Sequence, residues 1–214
     1  MEFPDIKGLL LHPKSTFEEI VEDTTWKKGL GAWFLFTFIG TSMFLLFSAA
    51  VGSRYIVMDF GLGTGFVTTL GLFKAVGIFF ILFLVTATLC HLGAKVFKGT
   101  GTLGGTIGVL GYANIPTAIK GILSGFFTLI HYLMIQQGIK GLLLYDGVNT
   151  QMFSNLVTAS VIVSIIFSIW ITVLYSIAIS VAHQIKIWKS FVIVIIANAI
   201  IFGILFGVYY IRPL

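Results

Sequence analysis

GLGAWFLFTFIGTSMFLLFSAAV, residues 29 to 51, carries no charged side chain and follows Trp26, Lys27 and Lys28. An α-helix rises about 1.5 Å per residue, so roughly 20 apolar residues cross the hydrocarbon of a bilayer. This stretch is long enough, and similar ones recur at residues 73–92, 117–135, 156–181 and 188–210. The expected fold is all-α: a polytopic membrane protein of five transmembrane helices, with a broken third region and a short N-terminal amphipathic helix. Residues 1–28 form a cytoplasmic leader and residues 29–214 one membrane domain.

Composition agrees with lipid as the main solvent. The hydrophobic fraction is 57% and the charged fraction 10%, against about 25% charged in soluble domains. A large core does not account for that gap, because a chain of 214 residues still needs a solvated surface. The single cysteine, Cys90, excludes an internal disulfide and an all-thiolate metal site. A net charge of +5 invites a nucleic-acid reading, but the lysines flank apolar spans and read as topology determinants. No nucleic-acid partner is expected; the lipid bilayer is.

The leader has an organisation of its own. Its Leu9–Leu11 run is far shorter than the apolar core of a signal peptide, so the first span is expected to stay uncleaved. Ser15-Thr16-Phe17-Glu18 fits a capping box, in which Ser15 accepts from the backbone and Glu18 reaches back. Phe17, Ile20 and Val21 then share a helical face opposite Glu18, Glu19, Glu22 and Asp23. Such a helix rests on the membrane domain or headgroups. The same face is the leader's candidate docking face for a cytoplasmic protein partner, and the acidic side favours a protein neighbour over anionic lipid.

After the second span comes GTGTLGGTIGVLGYANIP, residues 99–116. Pro116 lacks an amide hydrogen and disfavours helix in Ile115, so one straight helix across residues 103–136 is not expected. The pattern reads as a half-helix over residues 102–113, a break, and then the third span. Tyr112, Asn114, Pro116 and Lys120 surround that break and are the candidate polar or headgroup site. Lys120 lies only four residues beyond Pro116, close enough to the interface to snorkel.

Charge placement orients the chain. Lys7, Lys14, Lys27, Lys28, Lys95, Lys98, Lys186 and Lys189 fall on one side of a five-span topology, and Arg54, Lys140 and Arg212 on the other. The positive-inside rule then places the N-terminus in the cytoplasm and the C-terminus outside.

Two stretches are similar to the Yip family, membrane proteins named for interaction with Ypt/Rab GTPases and found widely in prokaryotes. LLLHPKSTFEEI, residues 9–20, resembles the family's Leu-x-x-Pro-x-x-x-Phe signature. HLGAKVFKGTGTLGGTIGVLGYANIP, residues 91–116, is the more specific match: a span ending in His, a basic turn, a Gly-x-Gly stretch and Leu-Gly-Tyr-x-x-x-Pro. The resemblance implies a five-span membrane protein with a cytoplasmic N-terminus. The long N-terminal region and the Asp-Leu-Tyr-Gly-Pro segment of eukaryotic members are missing, so the likeness is to the compact prokaryotic branch and its plasma membrane.

Catalytic chemistry is scarce. Gly99, Gly101 and Gly104 spell G-x-G-x-x-G, but a dinucleotide fingerprint needs a preceding strand and an acid about 20 residues on. Here a membrane span precedes it and the next acid is Asp146, so no cofactor is expected. His91 and His183 end spans on the same side as interfacial histidines bonded to loop carbonyls; with Cys90 they lack the further ligands and carboxylates of a metal centre. Ser124 and His131 are seven residues apart, about 10.5 Å along one helix and too far for a dyad. No enzyme is expected.

Coupled transporters usually keep a carboxylate in the bilayer, whereas Asp59 and Asp146 fall in loops. Gly121 and Gly125 form a small-x-x-x-small pair suited to close packing, within the chain or between copies in a homo-oligomer. The expected function is a non-enzymatic, membrane-organising scaffold or adaptor. The alternative is a transporter or channel for a small solute, ion or lipid that uses the break at residues 112–120.

Overall fold

Apolar runs bounded by Pro, Gly and lysine turns become eight helices among the described residues of the computed structural model, which are 6–50, 56–59, 64–67, 69–140 and 148–211. Two short helices, α1 (Ile6–Leu11) and α2 (Pro13–Asp23), make up the leader. The long helices are α3 (Trp26–Ala50), α4 (Thr69–Val96), α6 (Ile115–Lys140), α7 (Val148–His183) and α8 (Ile187–Ile211), with the ten-residue α5 (Leu103–Tyr112) between α4 and α6. The loop expected after the first span contains an antiparallel hairpin, β1 (Ile56–Asp59) with β2 (Thr64–Val67), paired Ile56 to Val67 and Asp59 to Thr64. Arg54, Asp146 and Arg212 lie outside the described residues, as does the side chain of His131.

Among the described residues three helical stretches are long and apolar enough to cross a membrane: Val76–Val96, Thr158–His183 and Ile187–Ile204. Only 22% of Val76–Val96 is buried within the chain. Ile78, Ile81 and Leu92 on α4, and Ile162, Ile165, Ile166 and Ile169 on α7, point outward. Such faces need apolar surroundings, which a bilayer supplies.

Contacts gather the chain into two units. The first comprises Met1–Phe34, Val76–Asn114 and Trp170–Leu214. Its core holds Leu9 and Phe17 of the leader, Val109 and Leu110 of α5, Leu174 and Ile179 of α7, and Val194 of α8. The Trp33 ring stacks on Phe83 at 5.2 Å. The second unit comprises Leu35–Ala75 and Ile115–Ile169. There a Cβ on Gly121 would fall 2.6 Å from the Gly40 carbonyl carbon, so α3 and α6 touch backbone to backbone through glycine.

The leader starts earlier than its capping box predicted. Pro13 opens α2 behind His12, whose side chain makes no cap hydrogen bond. The hydroxyls of Ser15 and Thr16 instead donate to the His12 carbonyl, each at 3.1 Å. Proline explains the shift: its φ is already helical and its missing N–H is one that a first turn leaves unpaired anyway. Glu18 is then free to meet Lys14 at 3.9 Å on the exposed face.

Helices α4 and α7 end alike. Gly99 N–H donates to Ala94 O and Lys98 N–H to Lys95 O; Ile185 N–H donates to Ser180 O and Gln184 N–H to Val181 O. This double pattern needs a left-handed residue at the turn, usually glycine. The chain places Lys98 (φ 62°) and Gln184 (φ 55°) there instead. Replacing Gln184 by glycine should relieve about 1 kcal/mol of strain and raise the melting temperature in detergent by about 3 °C. An unchanged or lower midpoint would show that the Gln184 side chain compensates.

Candidate functional site

The Gly-rich stretch after α4 builds the most polar part of the first unit's interior. Thr102 caps α5 by accepting from Gly105 N–H at 3.1 Å, which satisfies one of the free amides of the first turn. Gly108 and Gly111 then face α3. A Cβ on Gly29 would lie 2.6 Å from Gly108 O, and one on Gly111 would lie 2.8 Å from Gly29 Cα. Thr24, at the end of the leader, packs on Gly108 from the side. Glycines here bring the backbones of α3 and α5 into contact and admit the Thr24 side chain against α5, which explains their number better than flexibility does.

Thr106, fully buried one turn into α5, joins two histidines. Its Oγ1 lies 2.8 Å from His183 Nε2 and 3.4 Å from His91 Nδ1, and the hydroxyl also reaches the Thr102 carbonyl at 3.0 Å. The two imidazole centroids are 5.2 Å apart. A hydroxyl carries one proton and two lone pairs. With the proton given to Thr102 O, Oγ1 is left to accept an N–H from each imidazole. His183 Nδ1 is buried and has no hydrogen-bond partner among the described residues.

That nitrogen faces the Gly99–Gly101 turn. Cβ atoms added to Gly99 and Gly101 would stand 3.1 and 3.0 Å from it. Thr100 N–H donates to the His183 carbonyl at 3.1 Å, which holds the turn down over the ring. The two histidines expected to bond loop carbonyls thus share a threonine hydroxyl instead. The G-x-G-x-x-G spelling serves this close approach: α4, not a strand, precedes it, and Gly104 sits beside Trp26. Among the described residues no three His, Cys, Asp or Glu side chains converge as metal ligands.

A second polar pair lies at the far end of α5. Asn114 is buried, and its Nδ2 donates to Leu110 O at 3.1 Å and to the Tyr175 hydroxyl at 2.7 Å. Tyr112 is buried nearby in the sequence; burial lifts its phenol above the ordinary range, an effect the Lys28 ammonium opposes and the Asp23 carboxylate reinforces. Pro116 occupies the second position of α6, where its missing N–H costs little. Lys120 follows on the same helix and is half-buried, within the second unit.

Phe17 and Ile20 point into the first unit, where α2 packs on α5, and Val21 is half-buried. The leader's outward face is therefore acidic, with Glu18, Glu19, Glu22 and Asp23 exposed. Asp23 also holds the Lys28 ammonium at the start of α3.

Thr106 and Tyr175 were not anticipated. The signal available for both was a hydroxyl set within an apolar helix, where lipid offers no partner and the protein must supply one. A family model described as the Yip1 domain matches residues 7–209, nearly the whole chain. No curated protein and no solved structure matches.

Proposed function

We propose that this chain, which belongs to the Yip1 domain family, is a non-enzymatic scaffold that organises membrane and recruits a soluble protein through its leader. In this reading α3, α4, α6, α7 and α8 all cross the bilayer. The segregated lysines support an N-terminus in the cytoplasm and a C-terminus outside, and the resemblance to compact prokaryotic members supports a plasma membrane. The observation that carries it is the leader itself. Phe17 and Ile20 are buried where α2 packs on α5, so four exposed carboxylates are displayed at a fixed place on the other face of α2. A basic partner surface is the complement of such a patch.

The test is crosslinking and pull-down with the full chain and with Glu18, Glu19 and Glu22 changed together to glutamine. Asp23 is left in place because it holds Lys28. The variant is expected to lose the principal crosslinked partner at low salt. Identical capture by both proteins would remove the recruiting role.

The buried Asn114–Tyr175 pair beside the α5–α6 junction supports a second reading, a transporter that uses this break. Proteoliposome flux of wild type against Lys120→Ala separates the two. The scaffold reading expects equal, protein-independent leak. Protein-dependent flux lost in the variant would favour transport.

A further inference from the structure

Helices α4 and α8 pack closely at the end of α4. A Cβ on Gly93 would fall 2.8 Å from Ile193 Cγ2. Just beyond, the rings of Phe97 and Trp188 meet edge-on, with centroids 6.3 Å apart. The Lys189 ammonium stands 5.3 Å from the centre of the first ring and 5.9 Å from the centre of the second. Cation–π contact replaces part of its water while its three N–H donors stay available.

Three exposed lysines accompany it: Lys95 and Lys98 at the end of α4 and Lys186 before α8. Lys14 and Lys28 near the leader form ion pairs with Glu18 and Asp23; these four lysines take part in neither. Four lysines thus lie within three residues of Phe97 or Trp188 in sequence, at the meeting of α4 and α8, with no ion pair to a described carboxylate. Lys98 is also held at φ 62°, where glycine would be easier.

Apolar stripes run away from this corner. Leu92 and Val96, one turn apart on α4, are 56% and 79% exposed, and Trp188, Val192 and Ile196 make the matching exposed row on α8. Aliphatic surface leading to an aromatic rim and then to unpaired lysines has the order of a lipid molecule: acyl chain, glycerol region, phosphate. We propose that the Phe97–Trp188–Lys189 corner, with Lys95, Lys98 and Lys186, binds the phosphate headgroup of an anionic phospholipid. The site is independent of whatever the leader docks.

Native mass spectrometry of the full chain, with phosphatidylglycerol or phosphatidylcholine added, tests it. Wild type is expected to retain phosphatidylglycerol in preference to phosphatidylcholine. Lys189→Gln and Lys98→Gly should each lower that retention roughly fivefold, Lys189→Arg should keep it, and Lys14→Gln should not change it. Lys98→Gly serves as a fold control, because relief of the left-handed strain should leave the lipid-free protein as stable as wild type or more so. Equal retention by wild type, Lys189→Gln and Lys98→Gly would overturn the assignment. So would equal retention of the two lipids, or displacement of phosphatidylglycerol by inorganic phosphate, which would make the ligand a soluble anion.

Discussion

Gly111→Ala is expected to lower the melting temperature of the detergent-solubilised protein by about 10 °C, the equivalent of roughly 3 kcal/mol in a chain of this size. The added methyl would sit 2.5 Å from the Gly29 carbonyl carbon and 2.8 Å from its Cα. Both are backbone atoms, so no rotamer change relieves the clash; one helix must move. Overpacking costs about 1–3 kcal/mol in cores that can adjust, and two helix backbones adjust poorly. Gly29→Ala meets Gly108 O and Ile107 O, both at 2.6 Å, and should cost as much. The double variant should fall short of the sum, because each substitution already separates α3 from α5. Gly77→Ala is the control: nothing lies within 4 Å of its added methyl, and helix propensity favours alanine there by about 1 kcal/mol. Equal melting of Gly111→Ala and Gly77→Ala would mean that the glycine contact does not hold the first unit together.

The same contact shows what the sequence made readable. Apolar length announced the long helices, as in residues 76–96, a run long and apolar enough to cross a bilayer. Pro116 and the glycines before it marked the place where α5 stops and α6 begins. These are local signals, carried by neighbours in the chain. Which glycine meets which is not local: Gly29 and Gly111 are far apart in sequence and close only after folding. The capping box misled for a related reason. Ser15 and Glu18 had the right spacing, but Pro13 fixed the first turn ahead of them. The leader's apolar face was legible as apolar, yet only the position of α5 shows that Phe17 and Ile20 are covered by the chain itself. His91 and His183 drew attention as ionisable groups near span ends, whereas the residue that joins them is Thr106, whose type says little in an apolar helix.

Thr106→Val tests that junction, since valine keeps the shape and removes the hydroxyl. In the native protein Oγ1 serves His183 Nε2 at 2.8 Å, His91 Nδ1 at 3.4 Å and the Thr102 carbonyl. His183 is fully buried and its Nδ1 already lacks a partner, so losing Oγ1 leaves the whole imidazole unsatisfied. An unmet buried polar group costs about 1–3 kcal/mol, and a drop near 5 °C in melting temperature is expected for roughly 2 kcal/mol. Thr106→Ser retains the hydroxyl and should lose less than half of that. Replacing both partners by apolar groups can be nearly neutral, so adding His183→Met to Thr106→Val should recover most of the stability. That recovery separates a hydrogen-bond role from simple packing: a purely steric Thr106 would leave valine and serine reversed in rank, and the second substitution would deepen the loss instead of mending it.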